Sequence, residues 1–319
     1  MEQSFLAYLR GRTRRLPQVA VGIGDDAAVI DLPSGGPCQQ IVCADQIIDG
    51  VDFLATEHAG RDIGFKAMAI NLSDIAAMGG VPRSAIVTLT LPNENATEIA
   101  GQVYEGILEA AQKYNVAIAG GDLSTYNGPL AINITMLGEV TDPWLRSGAA
   151  EGDAVFVSGQ LGGSLLGRHL RPEPRIELAA QLRELVDVHA AIDVSDGFSL
   201  DLDRLCAASR VGVELEMAQL PISKDAKQLA ITSGRSPHQH AWSDGEDFEL
   251  IVTVSPADAE RLQSTTLVVP MVRVGTIVGR TGLWKRTESN KFERVFPQGY
   301  VHGEAPTRND HRRREDVNF

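Results

Sequence analysis

Val21-Gly22-Ile23-Gly24-Asp25-Asp26-Ala27-Ala28-Val29-Ile30 sets two adjacent carboxylates between a glycine turn and an apolar run. Asp favours turns, so a solvated turn ahead of a strand accounts for the dipeptide taken alone. A second account competes with it. An ionised carboxylate beside Ala27 to Ile30 is costly to bury unless a cation or a set of donors compensates it, and a like charge next door adds to the cost. A divalent metal ion answers both problems. The pattern of apolar segment, glycine and carboxylate returns along the chain, and that recurrence favours the second account.

Outward from this stretch, Ala27 to Asp31 and Gln40 to Ala44 read as brief strands of a hairpin across the turn residues Pro33 to Pro37, with a short helix before them over Ser4 to Arg12. Asp45, Asp49 and Asp52 follow the second strand. Ala59 to Gly79 is apolar on nearly all sides, which predicts a buried helix stopped by Gly79, Gly80 and Pro82. Its few polar residues, Lys66, Asn71 and Asp74, form either a self-contained buried cluster or, for Asp74, part of a metal site. The strand Ser84 to Leu91, the helix Asn95 to Tyr114 and the strand Val116 to Ala119 come next, the last ending in Gly120-Gly121-Asp122, where glycine lets backbone approach a phosphate. Leu130 to Val140 is a further strand.

Thr141 to Asp153 is rich in Pro, Gly and charge and marks a domain boundary, giving domains over 1–145 and 146–302 and a charged tail over 303–319 that is expected to fray. Arg146 stands out in that linker: such an arginine is usually just solvated, but one facing a cleft between two domains suits a phosphate in bidentate fashion. The second domain opens with the strand Ala154 to Ser158 and a glycine loop, Gly159 to Gly167, expected to run into a helix whose free amides attract anions; it is not a Walker A loop. Asp193, Ser195 and Asp196 end a strand ahead of a helix that reaches Ser209. A strand over Val211 to Met217, a helix over Lys224 to Thr232, the loop Ser243 to Asp247, a strand over Phe248 to Val254, a helix over Pro256 to Ser264, a strand over Val272 to Val278 and a hairpin over Leu283 to Val295 complete it. The fold class is therefore α+β or α/β in two domains, with acidic or glycine turns at strand ends, where ligands of such folds gather.

Composition narrows the functions. At 319 residues, and roughly 100 to 200 per domain, the chain suits two domains. Lys plus Arg is 29 against 42 for Asp plus Glu, and the net charge of -13 argues against a nucleic-acid partner. No apolar run reaches about 18 residues, which argues against a membrane partner, and no signal peptide is visible, so the expectation is a cytoplasmic protein. Cys38, Cys43 and Cys206 have no zinc or disulfide spacing, and His58, His169 and His189 read as ordinary surface residues. What remains is carboxylates on separate segments: Asp25, Asp26, Asp45, Asp74, Asp122, Asp193 and Asp196. Such sets hold magnesium for phosphoryl transfer, which asks a protein mainly for positioning and charge neutralisation.

G-I-G-D-D-A-A, A-D-x-x-x-x-G-V-x-F, N-L-S-D-I-A-A-M-G-G-V-P, G-G-D, R-S-G-A-x-x-G-D, I-D-V-S-D-G and G-E-D-F-E-L, in this order from about Phe5 to about Tyr300, resemble the motif series of the thiamine-monophosphate kinases, in the aminoimidazole-ribonucleotide-synthetase-like superfamily. The resemblance implies a two-domain fold with mixed sheets flanked by helices, a homodimer, and direct, Mg2+-assisted transfer from ATP to thiamine monophosphate. By motif position it implies Asp26, Asp45, Asp74, Asp122, Asp193 and Asp196 as metal ligands, with Asp25 acting beside them through water. Tyr104, Gly121, Asp122, Arg146 and Ser195 would touch ATP, and Asp52, Glu246 and Tyr300 would lie at the substrate. Four positions depart from the series: Cys43 and Ala44 where hydroxyl residues are usual, Asp52 for a histidine, and Leu123 for a threonine. These leave two alternatives, an enzyme with the same ATP chemistry on another phosphorylated acceptor and a non-catalytic nucleotide-binding paralogue.

Overall fold

The protein is described by a computed structural model covering residues 7–8, 17–31, 38–287 and 289–301. The expected helix over Ser4 to Arg12 falls, apart from Ala7 and Tyr8, outside the described residues, as does the charged tail.

The first half comprises β1 (Val19–Val21), β2 (Ala28–Ile30), β3 (Gln39–Ile48), α1 (Gly60–Ala77), β4 (Val81–Pro92), α2 (Ala96–Lys113), β5 (Ala117–Tyr126) and β6 (Ala131–Val140). The second comprises β7 (Ala154–Ser158), α3 (Ile176–Leu185), β8 (Val188–Asp193), α4 (Phe198–Ser209), β9 (Gly212–Leu215), α5 (Lys224–Ser233), α6 (Pro237–Ser243), β10 (Leu250–Val254), α7 (Pro256–Ser264), β11 (Met271–Val278), β12 (Gly282–Arg286) and β13 (Phe292–Val295). The strands make a six-stranded sheet, β1-β2-β3-β6-β4-β5, and a seven-stranded one, β13-β12-β9-β11-β7-β10-β8. Both are mixed: β4 pairs parallel with β5 and β9 parallel with β12, and the other pairings are antiparallel.

Alternation decides what each sheet covers. Along β6 buried and half-buried residues alternate, and Ile132, Ile134 and Met136 join Ile41, Cys43 and Ile47 of β3 and Val87 and Leu89 of β4 in one core under α1. The opposite face of that sheet carries Val42, Ala44, Ile86 and Leu137 and stays half-buried or exposed. In the second sheet β7 and β10 are buried throughout, because both faces are covered. Phe198, Leu202 and Leu205 of α4 lie over one face; Leu178 and Leu182 of α3 with Ala259 and Leu262 of α7 lie over the other.

α1 is the hinge of the architecture and is buried on all sides, as its composition predicts. It crosses α2 at backbone distance, since a Cβ on Gly64 would stand 1.9 Å from the Val103 carbonyl oxygen and one on Gly106 1.8 Å from that of Arg61. Its last residues, Ala76 and Ala77, belong to the core of the second domain. Gly79, at φ +63, and Gly80 turn the chain back, their amides bonding the Ala76 and Ile75 carbonyls.

Three readings are corrected. β3 runs on to Ile48, so Asp45 sits inside a strand instead of after it. β5 likewise runs through Gly120-Gly121-Asp122. The Gly159 to Gly167 loop leads into two short 3-10 turns, Ser164–Leu166 and Arg168–Leu170, and its amides are already taken: Gly162 donates to Asp247 at 2.8 Å and Gly163 to Asp244 at 3.0 Å. That loop is tied to protein carboxylates and offers no free helix N-terminus.

Candidate active site

The carboxylates of Asp26, Asp74 and Asp193 converge where the two halves meet, each offering an oxygen within 4.8 Å of the others. They arrive from the turn after β1, from α1 and from the end of β8. Ser73 donates to Asp193 Oδ2 at 2.6 Å, orienting it from the other domain. Arg146 closes one side with a fork, Nε and Nη2 donating to both oxygens of Asp26 at 3.1 and 2.8 Å, while its backbone amide donates to Asp25 at 3.0 Å. Asp26 thus keeps a guanidinium partner, and Asp25 is a half-buried neighbour held by backbone.

The electrostatics follow from this crowding. Burial first, then the charges of Asp45, Asp193 and Asp26, pushes the Asp74 carboxyl well above the ordinary carboxylate range. Asp193 is pushed up in the same way, by burial and then by Asp26, against the lowering hydrogen bond from Ser73. Asp45 rises to about 6 through burial, with the charges of Asp26, Asp52 and Asp196 adding and Asp74 opposing, and Asp25 rises to about 6 through burial and Asp26. A set of oxygen donors that resists losing its protons suits a hard divalent cation, which replaces several protons with one compact charge.

Asp45 borders the cluster from β3, its amide donating to Asn71 Oδ1 at 3.2 Å. Cys43, two residues earlier on the same inward face, donates its thiol to the Asn71 carbonyl at 3.5 Å, whereas Ala44 points to the sheet's other face. Asp196 is drawn off to Arg204 at 2.6 Å. Ser195 and Tyr300 are brought beside it by backbone: the amide of Glu246 donates to the Ser195 carbonyl and that of Tyr300 to the Asp196 carbonyl. Asp52 caps its own turn, Oδ2 accepting from the Ile48 amide at 2.8 Å, and its carbonyl meets Lys66, which also binds Glu246. Asp52 and Glu246 therefore share one corner. Asp122 and Gly121 are not gathered in. Asp122 is exposed and registers with Thr88, Asn133 and Gln46, on the sheet face away from α1. Tyr104 packs against the first core from α2.

Sequence reasoning missed several partners. Asp201, whose carboxylate receives the amides of Asp196 and Gly197, holds the turn after β8. His169 is buried against Lys66 and Glu246, and His189 bonds Asp153 at 2.8 Å, so neither is an ordinary surface residue. No local motif marks them; for Asp201, the spacing of an acid five residues after Asp196 in the first helical turn was the available signal.

The family described as AIR synthase related protein, N-terminal domain, matches residues 24–140, and the one described as AIR synthase related protein, C-terminal domain, matches 137–283. The thiamine-monophosphate kinase of Rhodopirellula baltica is 72% identical over 310 residues, covering 96% of this chain and 98% of its own. The chain belongs to the thiamine-monophosphate kinase family. The family's Bacillus subtilis enzyme is 35% identical over 298 residues, 85% of this chain and 89% of the other. Among solved structures, AaThiL complexed with AMPPCP and TMP superposes with a TM-score of 0.80 at 26% identity, covering 94% of this chain and 96% of that one. The two-domain, mixed-sheet expectation holds for this member of the thiamine-monophosphate kinase family.

Proposed function

We propose that the protein transfers the terminal phosphoryl group of ATP to thiamine monophosphate, giving thiamine diphosphate, with magnesium held at the seam between its domains. The observation that carries this reading is the near-full-length identity to a thiamine-monophosphate kinase. The convergence of Asp26, Asp74 and Asp193 supports it, and AMPPCP, an ATP analogue, accompanies TMP in a structural relative. Magnesium, when bound, neutralises the polyphosphate and the charge that develops on transfer. Asp26, Asp74 and Asp193 hold it, with Asp45, Asp25 and Asp196 at the margin. Arg146, fixed in orientation by Asp26, presents its guanidinium toward phosphate oxygens, and Ser195 lies beside it on the nucleotide side. The acceptor oxygen belongs to a phosphate that is already deprotonated near neutral pH, so no residue serves as general base. Asp52, Glu246 and Tyr300 border the acceptor end.

The reading includes a homodimer. Among the described residues the first sheet has helices on one face only, and the other face presents Ile86, Ala44, Val42 and Leu137, with Leu123 and Tyr126 exposed on the edge strand β5. Asp122 stands on that face, in register with Thr88. The free thiols of Cys38, Cys43 and Cys206 suit the reducing cytoplasm. Among the described residues no helix is long and apolar enough to cross a membrane.

Incubating the purified protein with Mg-ATP and thiamine monophosphate, and separating the products by chromatography, tests the assignment. Thiamine diphosphate is the expected product. No product at high enzyme concentration, with ATP still bound by calorimetry, overturns it in favour of a nucleotide-binding paralogue.

A further inference from the structure

We propose that Lys66 is a positioning residue: with Glu246 and His169 it clamps the second domain onto α1, so that Asp193 meets Asp26 and Asp74. This rests on the metal-site reading above and adds to it the device that assembles the site from two domains.

Lys66 is 1% exposed, an ammonium buried within a helix of apolar neighbours. A buried ammonium tolerates that position only with charge and hydrogen-bond partners. Three lie in reach: its ammonium donates to the Asp52 carbonyl and to Glu246 Oε1, both at 2.7 Å, and stands 3.4 Å from His169 Nδ1, which faces Glu246 Oε2 at the same distance. Two of these belong to the second domain. Burial alone would raise the Glu246 carboxyl, yet the hydrogen bond from His169 and the charge of Lys66 hold it down at about 2, so Glu246 stays ionised. His58 packs edge-on against His169, ring centroids 5.6 Å apart, and fills the remaining side.

The clamp is joined to the metal ligands through backbone. Glu246 adopts φ +52 and Phe248 φ +50, a region non-glycine residues seldom occupy. Their amides donate to the Ser195 and Val194 carbonyls at 2.7 and 2.8 Å, lacing this loop to the end of β8 directly after Asp193. On the other side Lys66 and Asp74 lie on the same helix, eight residues or about 12 Å apart. Two buried side chains of α1 therefore grip the second domain, Lys66 to Glu246 and Ser73 to Asp193, and the spacing between these grips sets where Asp193 stands relative to Asp74. Asp62, in the first turn of α1, also pairs with Arg171 of the second domain at 2.9 Å, but on the solvent-facing rim of the contact, whereas the Lys66 pair is buried.

The test titrates the full-length protein with Mn2+ alone, by calorimetry and by electron paramagnetic resonance, in wild type, Lys66→Met, Glu246→Gln, the double variant and Asp74→Asn. Each single change in the clamp is expected to weaken Mn2+ binding about tenfold or more, because it loosens the domain contact, and the double variant to bind no more tightly than either single one, the two losses being one shared contact. In turnover, the KM for the metal rises in Lys66→Met. Wild-type affinity in folded Lys66→Met and Glu246→Gln, with binding lost in Asp74→Asn, overturns the clamp alone. A wild type that binds no Mn2+ overturns the clamp and the metal site beneath it. Should Lys66→Met not fold, Glu246→Gln, which keeps shape and size, decides the matter by itself.

Discussion

Asp74 sits half-buried on α1 with three other carboxylates near it, and its proton is held far more tightly than in water, by burial first and by Asp45, Asp193 and Asp26 after. Asp74→Asn removes one of these mutually repelling charges without changing shape. It is expected to abolish thiamine diphosphate formation while leaving the melting temperature equal or higher, measured by product chromatography beside a thermal melt; near-full activity would sink the metal assignment. Asp52 has a different job, since its carboxylate closes a turn on the Ile48 amide. Asp52→Ala is expected to cost about 1 kcal/mol in a denaturant titration, the usual worth of such a bond. At this scale the sequence showed which carboxylates end apolar segments, and three of those meet. It did not show pairings across long separations, such as Arg146 with Asp26 or Lys66 with Glu246, because nothing local to either residue names its partner. Asp122 illustrates a second limit: a strand that continues through two glycines turns alternate side chains to opposite faces, and only register says which.

Most elements were legible because their apolar pattern is strong: periodic in α2, and in α1 a long run that is apolar on every side. The ones that escaped are short or lie near prolines: α3 follows Pro172 and Pro174, and α6 is seven residues long. α6 did carry a signal, the capping box of Ser236 and Gln239 with Pro237 at its start. The α1–α2 crossing admits no side chain, so Gly106→Ala is expected to destabilise the protein by at least about 2 kcal/mol, seen as a lower denaturant midpoint; an unchanged midpoint would mean the helices part easily. The loop carrying Asp247 has a pH signature. Burial pushes Asp247 up to about 7, with Arg168 and the Gly162 amide opposing. A carboxyl raised in the folded state binds its proton there more tightly than in the unfolded chain, so its contribution is fully present below the ordinary value of 3.8 and fades as pH climbs to about 7. Asp247→Asn is therefore expected to flatten the fall in melting temperature between those limits. An identical slope in the variant would contradict the assignment.

For the whole molecule, the uncovered face of the first sheet is the surface with most to gain from a partner. Ile86, 43% exposed on a central strand, stands on it. Ile86→Glu is expected to convert a dimer to monomer in sedimentation or light scattering at micromolar concentration, and a wild type that is already monomeric would remove that part of the proposal. The placement of α1 has a consequence for how the chain comes to be made. Because Ala76 and Ala77 complete a core whose other members lie between Trp144 and Leu262, the first hundred residues leave the ribosome with an apolar notch that nothing yet fills. The half that follows cannot close its own interior without reaching back to that helix. Neither half is a spare part: a fragment beginning at residue 146 should arrive sticky and soon precipitate, and the intact protein should melt in a single calorimetric transition.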